Sequence, residues 1–247
     1  MLNVNLHPQV TRIARQLILA TFGGADQIAA ASLDNSGAPL FGHPMGRFEQ
    51  IGLLADRINY RVPDQILAEG GLDLHIDRNA LDPWANLQFW RPIQAFVALT
   101  DQYGGESGGL RCVRGFHARS DYDVARGQDK AALAKGAFNR LPSKRHQSLV
   151  DQCMPVDCPA GSIVFWDNRL PHATAQTLKS TDTREVVYCS FVPLCGVNVD
   201  AIDAQRIALE RNLQPPHYAA SRDAPGDRDW ALNELTEEQS AMLGFSS

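Results

Sequence analysis

Ile93-Gln94-Ala95-Phe96-Val97-Ala98-Leu99 is a short run, apolar at every position except Gln94 and rich in strand formers. The same character recurs in Ser162-Ile163-Val164-Phe165-Trp166 and in Val186-Val187-Tyr188-Cys189-Ser190-Phe191-Val192. Turn chemistry bounds each run: Gly104-Gly105, Pro159-Ala160-Gly161 and Pro193. Runs this short and apolar on both faces read as buried strands. Buried strands with Gly and Pro punctuation and no alternating helices predict a mainly β domain, a barrel or jelly roll with flanking helices.

Outward from these strands the pattern changes. From Pro8 to Phe22, the apolar Val10, Ile13, Leu17 and Ile18 fall at helical spacing, with Pro8 near the start and Gly23-Gly24 as a stop. Ala25 to Ser32 reads as a second short helix, ended by Asp34-Asn35-Ser36-Gly37. Gln50 to Arg61 suits either a short helix or a strand. Asp121 to Leu149, charged and rich in Ala and Lys, reads as surface helix and loop. Thr236-Glu237-Glu238-Gln239 has the form of a capping box that opens a last helix, halted at Gly244. No repeat and no long polar linker divides the chain, so its 247 residues read as a single domain.

Composition narrows the function. With 44% apolar residues the chain can build a core, which excludes wholesale disorder. A net charge of −5 without a Lys/Arg block argues against a nucleic-acid or anionic-membrane partner. The uncharged stretches Gln16–Ala25 and Pro92–Thr100 are too short to span a bilayer. The start carries neither the basic nor the apolar region of a signal peptide. Five cysteines, at 112, 153, 158, 189 and 195, are an odd number and read as free thiols of a cytoplasmic protein. Cys153 and Cys158 lack the second pair that a structural metal site needs.

The chemistry gathers in Leu72-Asp73-Leu74-His75-Ile76-Asp77. In a strand, alternation projects His75 and Asp77 from one face and Leu74 and Ile76 from the other. An imidazole and a carboxylate so placed reach one metal. A distant imidazole then completes the two-His, one-carboxylate set of non-haem Fe(II) oxygenases, which leaves positions open for a cosubstrate and O2. His172, after a strand-like run and the tight Asn168-Arg169-Leu170-Pro171 turn, is the third ligand on context. Arg184, twelve residues on, offers a dicarboxylate cosubstrate a guanidinium fork, and the Thr174 hydroxyl is placed to share that carboxylate. The plain alternative for Arg184 is a solvated cation beside Asp182 and Glu185. Gln94 is placed either to hydrogen-bond the cosubstrate's metal-bound carboxylate or to sit at a strand edge.

His75-Ile76-Asp77, His172 and Arg184 resemble the iron and 2-oxoglutarate signature of the phytanoyl-CoA dioxygenase family, which includes ectoine hydroxylase. Gly108 to His117 is similar to that family's glycine-led strand ending in a Pro-Gly-Ser-His turn. Pro159-Ala160-Gly161-Ser162 through Trp166 is similar to its Gly-Asp strand before the second iron histidine. Arg114, Phe116 and Ser162 stand where the family usually carries Pro, Ser and Asp. The likeness covers about residues 70–195, which implies a helical N-terminal flank of about 1–70 and a C-terminal flank of 196–247.

The resemblance implies a double-stranded β-helix of the cupin-like, jelly-roll kind. It implies Fe(II) held by His75, Asp77 and His172, with 2-oxoglutarate and O2 as cosubstrates, and Arg184, Thr174 and Gln94 as cosubstrate contacts. The reaction implied is hydroxylation of a small-molecule substrate with release of succinate and CO2; Asp77 argues against a halogenase, which leaves that position to chloride. A peptide or protein hydroxylase, a cupin-like metal enzyme without 2-oxoglutarate, and a sensor sharing the fold are the alternatives. Trp84, Phe89 and Trp90 line the substrate mouth or simply pack the core.

Overall fold

The computed structural model describes residues 2–22, 50–63, 74–77, 91, 93–104, 107–116, 139–175, 182–194, 196–213 and 234–245. These divide into two compact units. One comprises Met1–Arg57, Gln88–Ile93 and Cys189–Ser247, the other Ile58–Leu87 and Gln94–Tyr188.

In the first unit, helix α1 (Leu2–Asn5) precedes α2 (Pro8–Phe22), which has the bounds its apolar spacing predicts. The inward stripe is shifted by one residue from expectation. Ala14 and Ile18 are buried and Ile13 is exposed, because a 100° step per residue lets Ala14 take the centre of the stripe. Strand β1 (Ile51–Leu54) pairs antiparallel with Ser190–Pro193, the last part of strand β10 (Arg184–Pro193). Helix α4 (Gly196–Glu210) packs Ile202 on Leu54 and Val192. Gly52 allows this close approach, since a Cβ there would lie 2.8 Å from Leu194 and 3.0 Å from Ile202. Helix α5 (Glu237–Met242) carries the expected capping box: the Gln239 backbone N–H donates to Thr236 Oγ1 at 3.2 Å, and the Thr236 N–H donates to Gln239 Oε1 at 2.9 Å.

The second unit holds most of the strands that the apolar runs predict. Strand β4 (Ile93–Ala98) lies between β10 and β8 (Ile163–Asp167), and β2 (Ile58–Arg61) pairs with Arg184–Val187 of β10. The other sheet runs β6 (Asn139–Arg140), β3 (His75–Ile76), β9 (His172–Thr174), β5 (Leu110–Cys112), β7 (Met154–Pro155). Phe96, Trp166, Leu141, Leu149 and Val186 belong to the core of this unit. Among the described residues both sheets are antiparallel and open, so the closed barrel offered by the strand pattern is not formed.

One local alternative is decided and one expectation needs correction. The ambiguous 50–61 segment is a pair of strands, β1 and β2. The C-terminal end of the 121–149 segment is not simple surface, because helix α3 (Ser143–Gln152) buries His146 and Leu149; a polar, Lys- and Arg-bearing sequence hides two inward positions that composition averages away. The helix expected at 25–32 lies outside the described residues, as do Trp84, Phe89 and Trp90. No helix among the described residues is long and apolar enough to cross a membrane.

Candidate metal centre

Strand β3 is two residues long, and its pairing does the positioning. His75 lies directly opposite His172 of β9, so the two imidazoles leave the sheet on the same face. Ile76 turns the other way, buried like Leu74, and Asp77 returns to the His75 face. The imidazole centroids are 4.4 Å apart. His75 Nε2 lies 3.4 Å from Asp77 Oδ1, and His172 Nε2 lies 3.9 Å from Asp77 Oδ2. One donor atom from each of the three residues falls within 4.8 Å of the others. Ligands about 2.1 Å from one ion, at right angles, sit about 3 Å apart; the side chains need to close by only a little to share an ion.

The surroundings fix how these donors present themselves. His172 Nδ1 is 2.9 Å from the Leu170 carbonyl oxygen. A carbonyl only accepts, so Nδ1 carries a proton, and Nε2, on the Asp77 side, is the nitrogen left to ligate a metal. Gln94 is buried and donates through Nε2 to Asp77 Oδ2. The edge-strand alternative for Gln94 is thereby set aside, and its amide holds the carboxylate of the proposed ligand set. Trp166 stands with its ring centroid 5.5 Å from that of His172. Two imidazoles and one carboxylate on one face, with the opposite side not filled by a further ligand among the described residues, form a donor set suited to a divalent first-row metal with open positions.

Arg184 is the second feature of the unit. At 2% exposure it is no solvated surface cation. Nε donates to Gln102 Oε1 at 3.0 Å, and Nη1 donates to Asn59 Oδ1. Its carbon lies 5.9 Å from the centre of the Phe96 ring. Phe96 in turn touches Trp166, at 5.8 Å between centroids, so a continuous series of rings joins the His172 side to the Arg184 side. Arg61, opposite Arg184 in the β2–β10 register, is buried as well and donates to the Ala175 and Gly108 carbonyls at 2.8 and 3.2 Å. Burial pulls the pKa of Arg184 down, with Tyr188 opposing; burial and then the like charge of Arg184 pull Arg61 down. Thr174 is half-buried on the His172 face of β9, opposite Leu110. Among the described residues no hydrogen bond joins Thr174 to Arg184.

Asn59, Gln102, Arg61 and Trp166 were not foreseen as site residues. Asn59 and Arg61 reach Arg184 only through the β2–β10 register, which no local pattern announces.

The fold and this cluster define a mainly β protein with a candidate His-Asp-His metal centre and a buried arginine. The family model of Gig2-like proteins matches residues 116–243, more than half of the chain; the chain belongs to the Gig2-like family. That finding replaces the resemblance to the phytanoyl-CoA dioxygenases. A His-x-Asp, a distant His and a following Arg are what one chemistry demands, so they carry no lineage, whereas the Gig2-like match extends through the C-terminal flank.

Solved structures agree on the fold. GlcNAc Inducible Gene 2, GIG2 (DUF1479), from Candida albicans superposes with TM-score 0.71 at 16% identity, covering 99% of this chain and 64% of that one. The Escherichia coli hypothetical protein JW0805 gives TM-score 0.70 at 17% identity, over 98% of this chain and 67% of that chain. A Salmonella typhimurium LT2 protein named as a candidate oxidoreductase gives 0.59 at 19%, over 96% and 66%. The chain thus spans 64% of the length of the Candida structure. No curated protein sequence matches it.

Proposed function

We propose that this chain is an Fe(II)- and 2-oxoglutarate-dependent dioxygenase that hydroxylates a small-molecule substrate, with its two sheets forming a double-stranded β-helix. The observation that carries this reading is the convergence of His75, Asp77 and His172 in the same unit as the fully buried Arg184. The oxidoreductase name of the Salmonella neighbour accords with it. We read residues 1–247 as one such domain, and the buried free thiols of Cys112, Cys153, Cys158 and Cys189 favour a reducing compartment such as the cytoplasm.

His75 Nε2, His172 Nε2 and an Asp77 oxygen would hold the iron. Bound together, ferrous iron, 2-oxoglutarate and O2 supply oxidative decarboxylation to succinate and CO2, coupled to oxidation of a substrate C–H bond. The chain's own part is placement. Leu170 fixes the His172 tautomer, and Gln94 holds the Asp77 carboxylate in position. Arg184 binds the far carboxylate of 2-oxoglutarate, and Thr174 lies on the His172 face where it can contact the cosubstrate. Phe96 and Trp166, both buried, keep water away and so strengthen every charge interaction nearby.

Under anaerobic conditions Fe(II) with 2-oxoglutarate should give a visible charge-transfer band, absent in His172→Ala, and admission of air should release succinate. A protein that shows no band and makes no succinate is not this enzyme. Succinate release without turnover of any small metabolite, but with turnover of a peptide library, would redirect the substrate to polypeptides.

A further inference from the structure

We infer that Gln102 completes the seat for the far carboxylate of a keto-diacid, its side-chain amide donating beside Arg184. This deepens the reading of Arg184 given above and rests on it. Gln102 is held rigidly: its backbone N–H donates to the Cys158 carbonyl and its carbonyl accepts from the Cys158 N–H, both at 2.8 Å. The side chain is 1% exposed. Its oxygen is the atom 3.0 Å from Arg184 Nε, because a guanidinium only donates. That fixes the amide's orientation and leaves Nε2, a buried donor, without a hydrogen-bond partner. A buried amide N–H2 in that state marks a place where an acceptor belongs.

The neighbouring groups say which acceptor. A guanidinium has five N–H donors, and Gln102 and Asn59 take one each from Arg184, which leaves three for a ligand. No carboxylate among the described residues bonds either Arg184 or Gln102. A buried cation and a buried amide donor, both short of acceptors, match the two oxygens and several lone pairs of a carboxylate far better than a single water. Close packing holds the amide: a Cβ on Gly109 would come within 3.2 Å of Gln102 Oε1 and 3.1 Å of Ser107 Oγ. The seat therefore selects keto acids that end in a second carboxylate over those that end in a methyl group.

Isothermal titration of the full chain loaded with Mn(II), which is redox-silent here, tests this with 2-oxoglutarate and with 2-oxobutanoate. Both offer the same chelating keto acid, and only the first has a far carboxylate. Gln102→Leu, which removes the donor, should weaken 2-oxoglutarate about tenfold and leave 2-oxobutanoate unchanged. Gln102→Glu keeps the acceptor that Arg184 Nε uses but sets a negative oxygen in the seat, so it should weaken 2-oxoglutarate more than Gln102→Leu, again without touching 2-oxobutanoate. Equal weakening of both ligands, or unchanged 2-oxoglutarate binding in either variant, overturns the role of Gln102 while the enzyme reading stands. Wild-type protein that binds neither keto acid overturns both.

Discussion

Two buried glutamines, one in each unit, have opposite surroundings. Gln205, on α4, is bonded at both ends: its oxygen accepts from the Ala55 N–H at 2.6 Å and its nitrogen donates to the Leu53 carbonyl at 2.9 Å. Around it the first unit's polar groups close on one another. Asn198 donates to the Pro193 carbonyl at 2.7 Å, and the Asp56 carboxylate takes both Ser190 and Arg91. Gln102 in the second unit is only half satisfied, and Gln94 Oε1 and Trp166 Nε1 are likewise buried without a hydrogen-bond partner. Closed networks serve stability, whereas the donor left over on Gln102 sits beside a buried cation, where an acceptor can complete both.

Substitutions in the two regions should separate these roles. The largest effect belongs to the proposed ligands: Asp77→Ala should lower metal affinity by at least about a hundredfold, read by equilibrium dialysis, since even outer partners of a metal ligand are worth 10–100-fold. Next comes Arg184→Ala, which should cost 2-oxoglutarate binding about 1–3 kcal/mol, the worth of charge-assisted hydrogen bonds; unchanged affinity would move the anchor elsewhere. Gln205→Leu should cost the fold about 1–3 kcal/mol by removing the hydrogen bonds to the Ala55 N–H and the Leu53 carbonyl, while leaving 2-oxoglutarate affinity as it was. If Gln205→Leu weakened the ligand as much as it weakened the fold, the two glutamines would not differ in role. Gln94→Leu should loosen metal roughly tenfold through a carboxylate no longer held.

The smallest effect is a pH dependence. Burial pushes the Cys153 thiol up to about 11 from its usual 9. Between those values the unfolded chain has lost a proton that the folded protein keeps, so stability is intact below pH 9 and falls as pH rises towards 11. Cys153→Ala should flatten the decline in Tm over that window; an unchanged slope would remove Cys153 as its source.

Much of the candidate site is legible in the sequence because its key step is local. A strand's two-residue period places His75 and Asp77 on one face whatever the rest of the fold does. His172 requires tertiary register, yet the Asn168–Pro171 turn and the preceding strand narrow the choice. The burial of Arg184 is not legible, since Asp182 and Glu185 beside it mimic a solvated patch. Asn59, Arg61 and Gln102 are invisible for the same reason: they meet Arg184 through strand pairing and side-chain bonds across long stretches of chain. The family was misread because the ligand pattern reflects chemistry, whereas the Gig2-like match lies in residues 116–243, outside His75 and Asp77.

The decisive measurement is the paramagnetic resonance of Mn(II) titrated into metal-free protein, for the wild type and for His75→Ala, Asp77→Ala and His172→Ala. One tightly held ion per chain, released from all three variants while their far-UV spectra stay unchanged, is the predicted result. An ion bound as tightly in any of the three as in the wild type would show that these side chains do not share a metal.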